Sequence, residues 1–279
     1  MSDAQRPVFV GERISPQSGS ADIAAMSRGE PGLPGAFRWR GQRFEVARRL
    51  SSRRDMGQDR GDTYIRRHVH EFETADGLRM SVYFERNPRD RATAKSWWLY
   101  TVAFPEPIIS SERLLLRRWT YADRDDFARM VSDPETMRFL HDGVPLSARQ
   151  SDEALDATIA HYAAGFGDWA ILSRADGAIM GESGLTRLRE TGEVELGYML
   201  RSAYWGHGFA SEAASAVIQY AFDGLELDRL VSLVEPANIA SIRVQEKLGM
   251  NALGSTLHRG RTMLKYELCR AARPIGNNA

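Results

Sequence analysis

Residues 195–212 read ELGYMLRSAYWGHGFASE, and this stretch decides the fold. The apolar run from Val194 to Leu200 predicts a strand. It runs into a turn, Trp205-Gly206-His207-Gly208-Phe209-Ala210, with glycine at alternate positions, and the helical pattern ASEAASAVIQYAF follows at once. Gly206 and Gly208 let the main chain approach a ligand with no Cβ in the way. The first amides of the helix point outward at the positive end of its dipole. A strand, a phosphate-sized nest and a helix start, in that order, predict a pyrophosphate site.

The flanks narrow the choice among nucleotide folds. A Walker loop ends in Gly-Lys-Ser/Thr, whereas this loop ends in Phe209-Ala210-Ser211 without lysine. A dinucleotide fingerprint needs a third glycine. Asp228 and Glu235 stand at the spacing expected of its acidic residue, but only two of its glycines are present. Downstream come a β-rich run (RLVSLVE), Pro236, the segment Asn238-Ile239-Ala240-Ser241 and a short helix, SIRVQEKL, closed by Gly249. That order fits neither pattern.

Outward from the loop, residues 111–269 run from SERLLLRRWTYAD through SDPETMRFL, GESGL, ELGYML, YWGHGFASEA and NIASIRVQEKLGM to TMLKYEL. In these motifs and their order the segment resembles a GNAT acetyltransferase of the ribosomal-protein N-acetyltransferase (RimJ/RimL) type. Trp205 stands where the superfamily's loop commonly has Gln or Arg, and the loop acts through its main chain. The resemblance implies a mixed, mostly antiparallel sheet with splayed strands and helices on both sides, an α+β fold. It also implies acetyl-CoA as acyl donor and no metal. The pyrophosphate would be held at Trp205, Gly206, His207, Gly208, Phe209 and Ala210. An amide near Met199 or Leu200 would face the thioester oxygen, with Asn238 on the pantetheine. Ser241 would lie near sulfur as a proton donor, and is read equally well as a helix N-cap.

An attacking amine must lose a proton, so the chemistry needs a base. Strand alternation sets Glu193, Glu195 and Gly197 on one face and Val194, Leu196, Tyr198 and Leu200 on the other. Glu195 is the first candidate, because a carboxylate on a central strand beside the acceptor cleft is desolvated and its pKa rises. Glu182 in GESGL is the rival and Glu235 the third. Each is also readable as a substrate anchor or a structural carboxylate. His207, in the loop, suits phosphate contact better than proton abstraction. An α-amine with a pKa near 8 is about a tenth uncharged at pH 7, far more than a lysine near 10.4, so a weak base suits a protein or peptide N-terminus. The alternatives are a small amine (antibiotic, polyamine or amino acid) and a non-catalytic acyl-CoA sensor. The acceptor walls are expected in the segments 139–145 and 162–168.

Composition bounds the rest. The chain has 279 residues, 43% hydrophobic and 27% charged, with zero formal net charge. That length suits two domains, and the neutral balance argues against a dedicated nucleic-acid protein. A lone cysteine, Cys269, forms no internal disulfide and reads as a small core residue. With no apolar run of about 18 residues and no signal-peptide pattern, no membrane partner is expected and a cytoplasmic location is. A homodimer is left open.

The expected organisation is a loop-rich segment (1–36), a small antiparallel β domain (37–104), a linker (105–110), the acetyltransferase domain (111–270) and a flexible tail (271–279). In the β domain, FRWR-GQ-RFEVARRL and TYIRRHVHEFET-ADG-LRMSVYFER read as hairpins and SWWLYTVAF as a fifth strand, predicting a barrel or curled sheet. The part resembles a small bacterial β-rich domain of unknown function. Its aromatics among arginines (Trp39, Tyr64, Tyr83, Trp97, Trp98 and Tyr100) read as core more than as a nucleic-acid platform. His68 and His70 share a face, and read as polar outer residues more than as metal ligands.

Overall fold

The β pattern of the first hundred residues closes on itself. A computed structural model describes residues 7–17, 31–59, 62–85, 96–140 and 142–272, and the chain divides into two units, Met1–Glu106 and Pro107–Ala279. In the first unit, β1 (Val8–Pro16), β2 (Ala36–Trp39), β3 (Gln42–Asp59), β4 (Asp62–Thr74), β5 (Arg79–Glu85) and β6 (Trp97–Ala103) form a closed barrel in sequence order. Antiparallel pairing of β1 with β6, from Val8↔Val102 to Ile14↔Trp97, closes it. The turns carry positive φ where tight hairpins need it, at Arg40 and Gly41 and again at Gly77. Phe37, Phe44, Phe72, Leu78, Met80, Val82 and Leu99 fill the interior.

Three expectations are corrected here. Residues 11–16, expected as loop, are strand, because barrel closure gives their main chain partners on β6 and β2. Strand β3 runs on to Asp59, pairing with β4 far beyond the anticipated end near Leu50. His68 and His70 do share a face, but it is the buried one. Their register partners are Phe84 and Val82, and the His70 ring lies 5.6 Å from that of Trp97. Among the aromatics, Trp39 and Trp97 are buried and Tyr100 is exposed, while Tyr83 and Trp98 stack half-buried at 6.2 Å. The Tyr64 side chain and the tail beyond residue 272 lie outside the described residues, as do residues 18–30 of the N-terminal segment.

The second unit is an eight-stranded sheet in the order β13-β14-β12-β11-β10-β9-β8-β7. Its strands are β7 (Ile109–Ser110), β8 (Leu114–Arg118), β9 (Asp168–Ser173), β10 (Ile179–Arg187), β11 (Val194–Leu200), β12 (Arg229–Val234), β13 (Asn251–His258) and β14 (Arg261–Cys269). Neighbours run antiparallel except β11 and β12. The helices are α1 (Arg124–Val131), α2 (Pro134–Met137), α3 (Ala148–His161), α4 (Phe209–Gln219) and α5 (Ile239–Lys247). Ser147 caps α3 in a capping box with Gln150.

Each face of the sheet has its own core. On one, Trp169, Ile171, Leu185, Leu196 and Leu200 pack against Ala213, Ala214 and Val217 of α4. On the other, Ala170 and Ile179 meet Trp119, Phe127 and Met130, with Leu155 of α3. The fold is α+β, with helices on both faces. Among the described residues no helix is long and apolar enough to cross a membrane.

Candidate active site

Strands β11 and β12 are in register at a single pair, Glu195↔Val231. Beyond it they part. Main-chain alternation decides what faces the gap. The bonds Arg201 N–H to Met180 C=O and Leu188 N–H to Glu193 C=O mark odd-numbered β11 residues as those bonded to β10. The N–H groups of Tyr198 and Leu200 therefore point toward β12, whereas that of Met199 is turned to β10. Of the two amides anticipated for the thioester oxygen, that of Leu200 points into the gap between β11 and β12.

The loop after β11 is held from several sides. The Trp205 indole donates to the Leu200 carbonyl at 2.8 Å, so this side chain braces the turn. Gly206 and Gly208 both have φ +80°, a conformation that L side chains rarely adopt. Gly208 is the N-cap of α4 and offers no side chain to cap it, so the first amides of the helix are left for a ligand. His207 is exposed, and its ring stacks on Phe209 at 5.9 Å.

Sequence reasoning missed a brace from Arg113, the residue just before β8. Arg113 donates from Nη1 to the His207 carbonyl at 3.1 Å and from Nε to Glu212 at 2.6 Å, and its guanidinium lies 4.4 Å from the Phe209 ring centre. Glu212 also accepts from the Arg113 N–H and the Ser111 hydroxyl. Burial pushes its carboxyl up, but these donors together hold it below the usual range. Residues about a hundred apart make this brace, so no local pattern signals it.

Across the gap, Asn238 is the N-cap of α5, its Oδ1 accepting from the Ser241 N–H at 3.0 Å. The N-cap reading of Ser241 is thus corrected: Asn238 does the capping, and the Ser241 hydroxyl is released for other bonds. Its Oγ lies 2.7 Å from the Tyr198 hydroxyl.

The opposite face of the sheet holds the acids. Cross-strand register sets Asp168 beside Gly184, Gly184 beside Gly197, Glu182 beside Met199 and Thr186 beside Glu195, so all project on the Ala170 side. A Cβ on Gly184 would meet the Asp168 carboxylate at 2.7 Å and the Gly167 carbonyl at 2.2 Å, so only glycine fits. A Cβ on Gly197 would meet nothing within 4 Å. Gly197 thus leaves open space where its side chain would project, on the face that carries Asp168, Glu182 and Glu195.

Burial, then the charge of Asp168, raises Glu182 furthest, although its carboxylate accepts from the Trp119 indole at 3.1 Å. The same two causes raise Glu195 to about 7, opposed by the Leu233 N–H and by Arg259. Burial also raises Asp168, against the charge of His161. Sequence reading missed Asp168 as an acid. Glu235, the third candidate, is ion-paired with Arg261 at 2.5 Å, and Glu193 is bound to Lys265 and Arg229.

A sheet parted at a parallel pair, with a glycine bend and a helix N-terminus lacking a side-chain cap after it, is the geometry an acyl-CoA-dependent transferase needs. Residues 113–251 match the family model described as an acetyltransferase (GNAT) domain, and residues 5–103 match a domain of unknown function, DUF6504. An uncharacterized N-acetyltransferase, p20, of Bacillus licheniformis is 31% identical over 149 residues, covering 52% of this chain and 82% of that protein. An FsC-acetyl coenzyme A-N(2)-transacetylase of Aspergillus fumigatus is 27% identical, over 52% of this chain and 65% of that one. Among solved structures, an acetyltransferase of Agrobacterium tumefaciens superposes with a TM-score of 0.52 at 28% identity, covering 59% of this chain and 95% of its own. RimL, a ribosomal L7/L12 α-N-protein acetyltransferase solved with coenzyme A, shares the fold at a TM-score of 0.51 and 16% identity, over 59% of this chain and 98% of its own. The chain belongs to the GNAT acetyltransferase family and is an N-acetyltransferase with acetyl-CoA as donor.

Proposed function

We propose that the acceptor is the α-amine of a protein or peptide, and that it is acetylated by direct attack while both substrates are bound. The observation that carries this reading is the open space at Gly197 on the face that carries three buried carboxylates. The loop amides from Gly206 to Ala210, beside His207 and the braced Trp205, grip the pyrophosphate, and Asn238 offers its Nδ2 hydrogens to the pantetheine. The acceptor amine sits over Gly197, two residues from Glu195 and two from Met199, roughly 7 Å along the strand each way. An ammonium is drawn there by the acids.

Glu195 takes the proton. A group titrating near 7 is about half ionised at neutral pH, close to the optimum for a general base. Glu182, raised further, spends more of its time protonated. The neutral amine attacks the thioester carbonyl, and the Leu200 N–H stabilises the oxyanion. One such donor is typically worth about 3 kcal/mol. As the intermediate collapses the nitrogen releases its second proton to water, the C–N bond remains and the C–S bond breaks with its electron pair going to sulfur. The Ser241 hydroxyl hydrogen-bonds the departing thiolate, which then takes up a proton from water. A base this weak suits an α-amine, whose neutral fraction at pH 7 is about a tenth, better than a lysine.

The test is mass spectrometry on peptides with free or blocked α-amines, incubated with acetyl-CoA. A shift of one acetyl group on free-α-amine peptides only is expected. Acetylation confined to lysine side chains, or to small amines such as polyamines, would overturn the choice of acceptor.

A further inference from the structure

The two strands that part around the coenzyme cleft are bridged by one buried amide. Gln245 lies one turn after Ser241 on α5, fully buried, and its Nε2 donates to the Tyr198 hydroxyl on β11 and to the Ser232 hydroxyl on β12, both at 3.0 Å. Both hydrogens of that nitrogen are thereby used, one on each strand. The direction of the remaining bonds follows. The Tyr198 hydroxyl receives from Gln245, so its own hydrogen turns to Ser241, whose Oγ lies at 2.7 Å and whose carbonyl lies at 3.3 Å. With that hydrogen on Oγ, the nearer of the two acceptors, Ser241 accepts from Tyr198 and keeps its own hydroxyl hydrogen for another partner.

We infer that Gln245 and Tyr198 are positioning residues that set the polarity of a hydrogen-bond chain, Gln245 to Tyr198 to Ser241, so that the Ser241 hydroxyl presents its hydrogen to the thioester sulfur. The inference rests on the proposed role of Ser241 and deepens it. The chain works by orientation. A thiol titrates near 8.5, whereas burial holds the Tyr198 phenol at about 12 against the pull of its bonds to Ser241 and Gln245. The phenol therefore keeps its proton, and sulfur, retaining the electron pair of the broken C–S bond, receives a hydrogen bond while it is still a thiolate. A linked chain polarises its members, so the outermost donor is strengthened by those behind it.

A double-mutant cycle on kcat tests this, using the full chain, acetyl-CoA and the best peptide acceptor. Tyr198→Phe and the near-isosteric Gln245→Met are each expected to lower kcat about tenfold and leave the KM for acetyl-CoA within twofold. Added to Ser241→Ala, either change is expected to cost less than twofold more, because the oriented donor is already gone. Equal losses in the wild-type and Ser241→Ala backgrounds would assign Tyr198 and Gln245 a structural role and overturn the inference. So would unchanged kcat in both single variants while Ser241→Ala is slow, leaving the proposed donor intact. An unimpaired Ser241→Ala enzyme would remove the donor itself, and the inference with it.

Discussion

Strand β11 presents opposite chemistries on its two faces. On the α1 and α3 side, Glu195 stands in line with Gly197 and Met199, next to Glu182 and Asp168, and burial has raised the affinity of these three carboxylates for protons. On the α4 and α5 side, Tyr198 joins Ser241 and Gln245 in a chain of neutral donors. In the proposed mechanism one strand thus separates the group that removes a proton from the group that offers one. The acids depend on charge and titrate, whereas the hydroxyls depend on geometry and do not.

The largest expected effect breaks the acidic side alone. Glu195→Gln should lower kcat/KM about 10²- to 10³-fold, in the range of a lost general base, with acetyl-CoA affinity by calorimetry unchanged. Ser241→Ala, on the other face, should lower kcat up to about 10²-fold without moving the pH optimum, as measured in steady-state profiles. A pH shift in that variant would mean that the two faces are not separate.

Asp168→Asn sharpens the comparison. Removing a like charge that raises both glutamates should move the acidic limb of the kcat/KM profile down by about half a unit to one unit. The smallest effect is on stability. The three carboxyls have native pKa values above their unfolded ones, so their contribution is fully present below the unfolded values near 4 and is lost as pH rises through the native range. The melting temperature of Glu182→Gln, which cannot ionise, should therefore exceed that of the wild type by a few degrees at pH 9 and by much less at pH 5.

Legibility differed between the faces for physical reasons. The order of strand, glycine nest and helix was readable because main-chain geometry there demands particular residues, and alternation alone put Glu195 opposite Tyr198. Asp168 escaped because it opens a strand after Gly165-Phe166-Gly167 and gains meaning only when antiparallel register lays it over Gly184. Gln245 stands one helical turn from Ser241, a spacing that was legible, but its partners Tyr198 and Ser232 belong to two different strands. The Arg113–Glu212 brace spans about a hundred residues. In the barrel, Gly11 and Pro16 made β1 look like loop, and only its pairing with β6 makes it a strand. Local chemistry was visible in the sequence, and groups joined through tertiary pairing were not.

The pH dependence of kcat/KM for a free-α-amine peptide, compared between the wild type and Glu195→Gln, tests the separation of the faces most directly. An acidic limb with an apparent pKa near 7 in the wild type that disappears from the residual activity of the variant is the predicted result. The same limb persisting in Glu195→Gln would contradict the account.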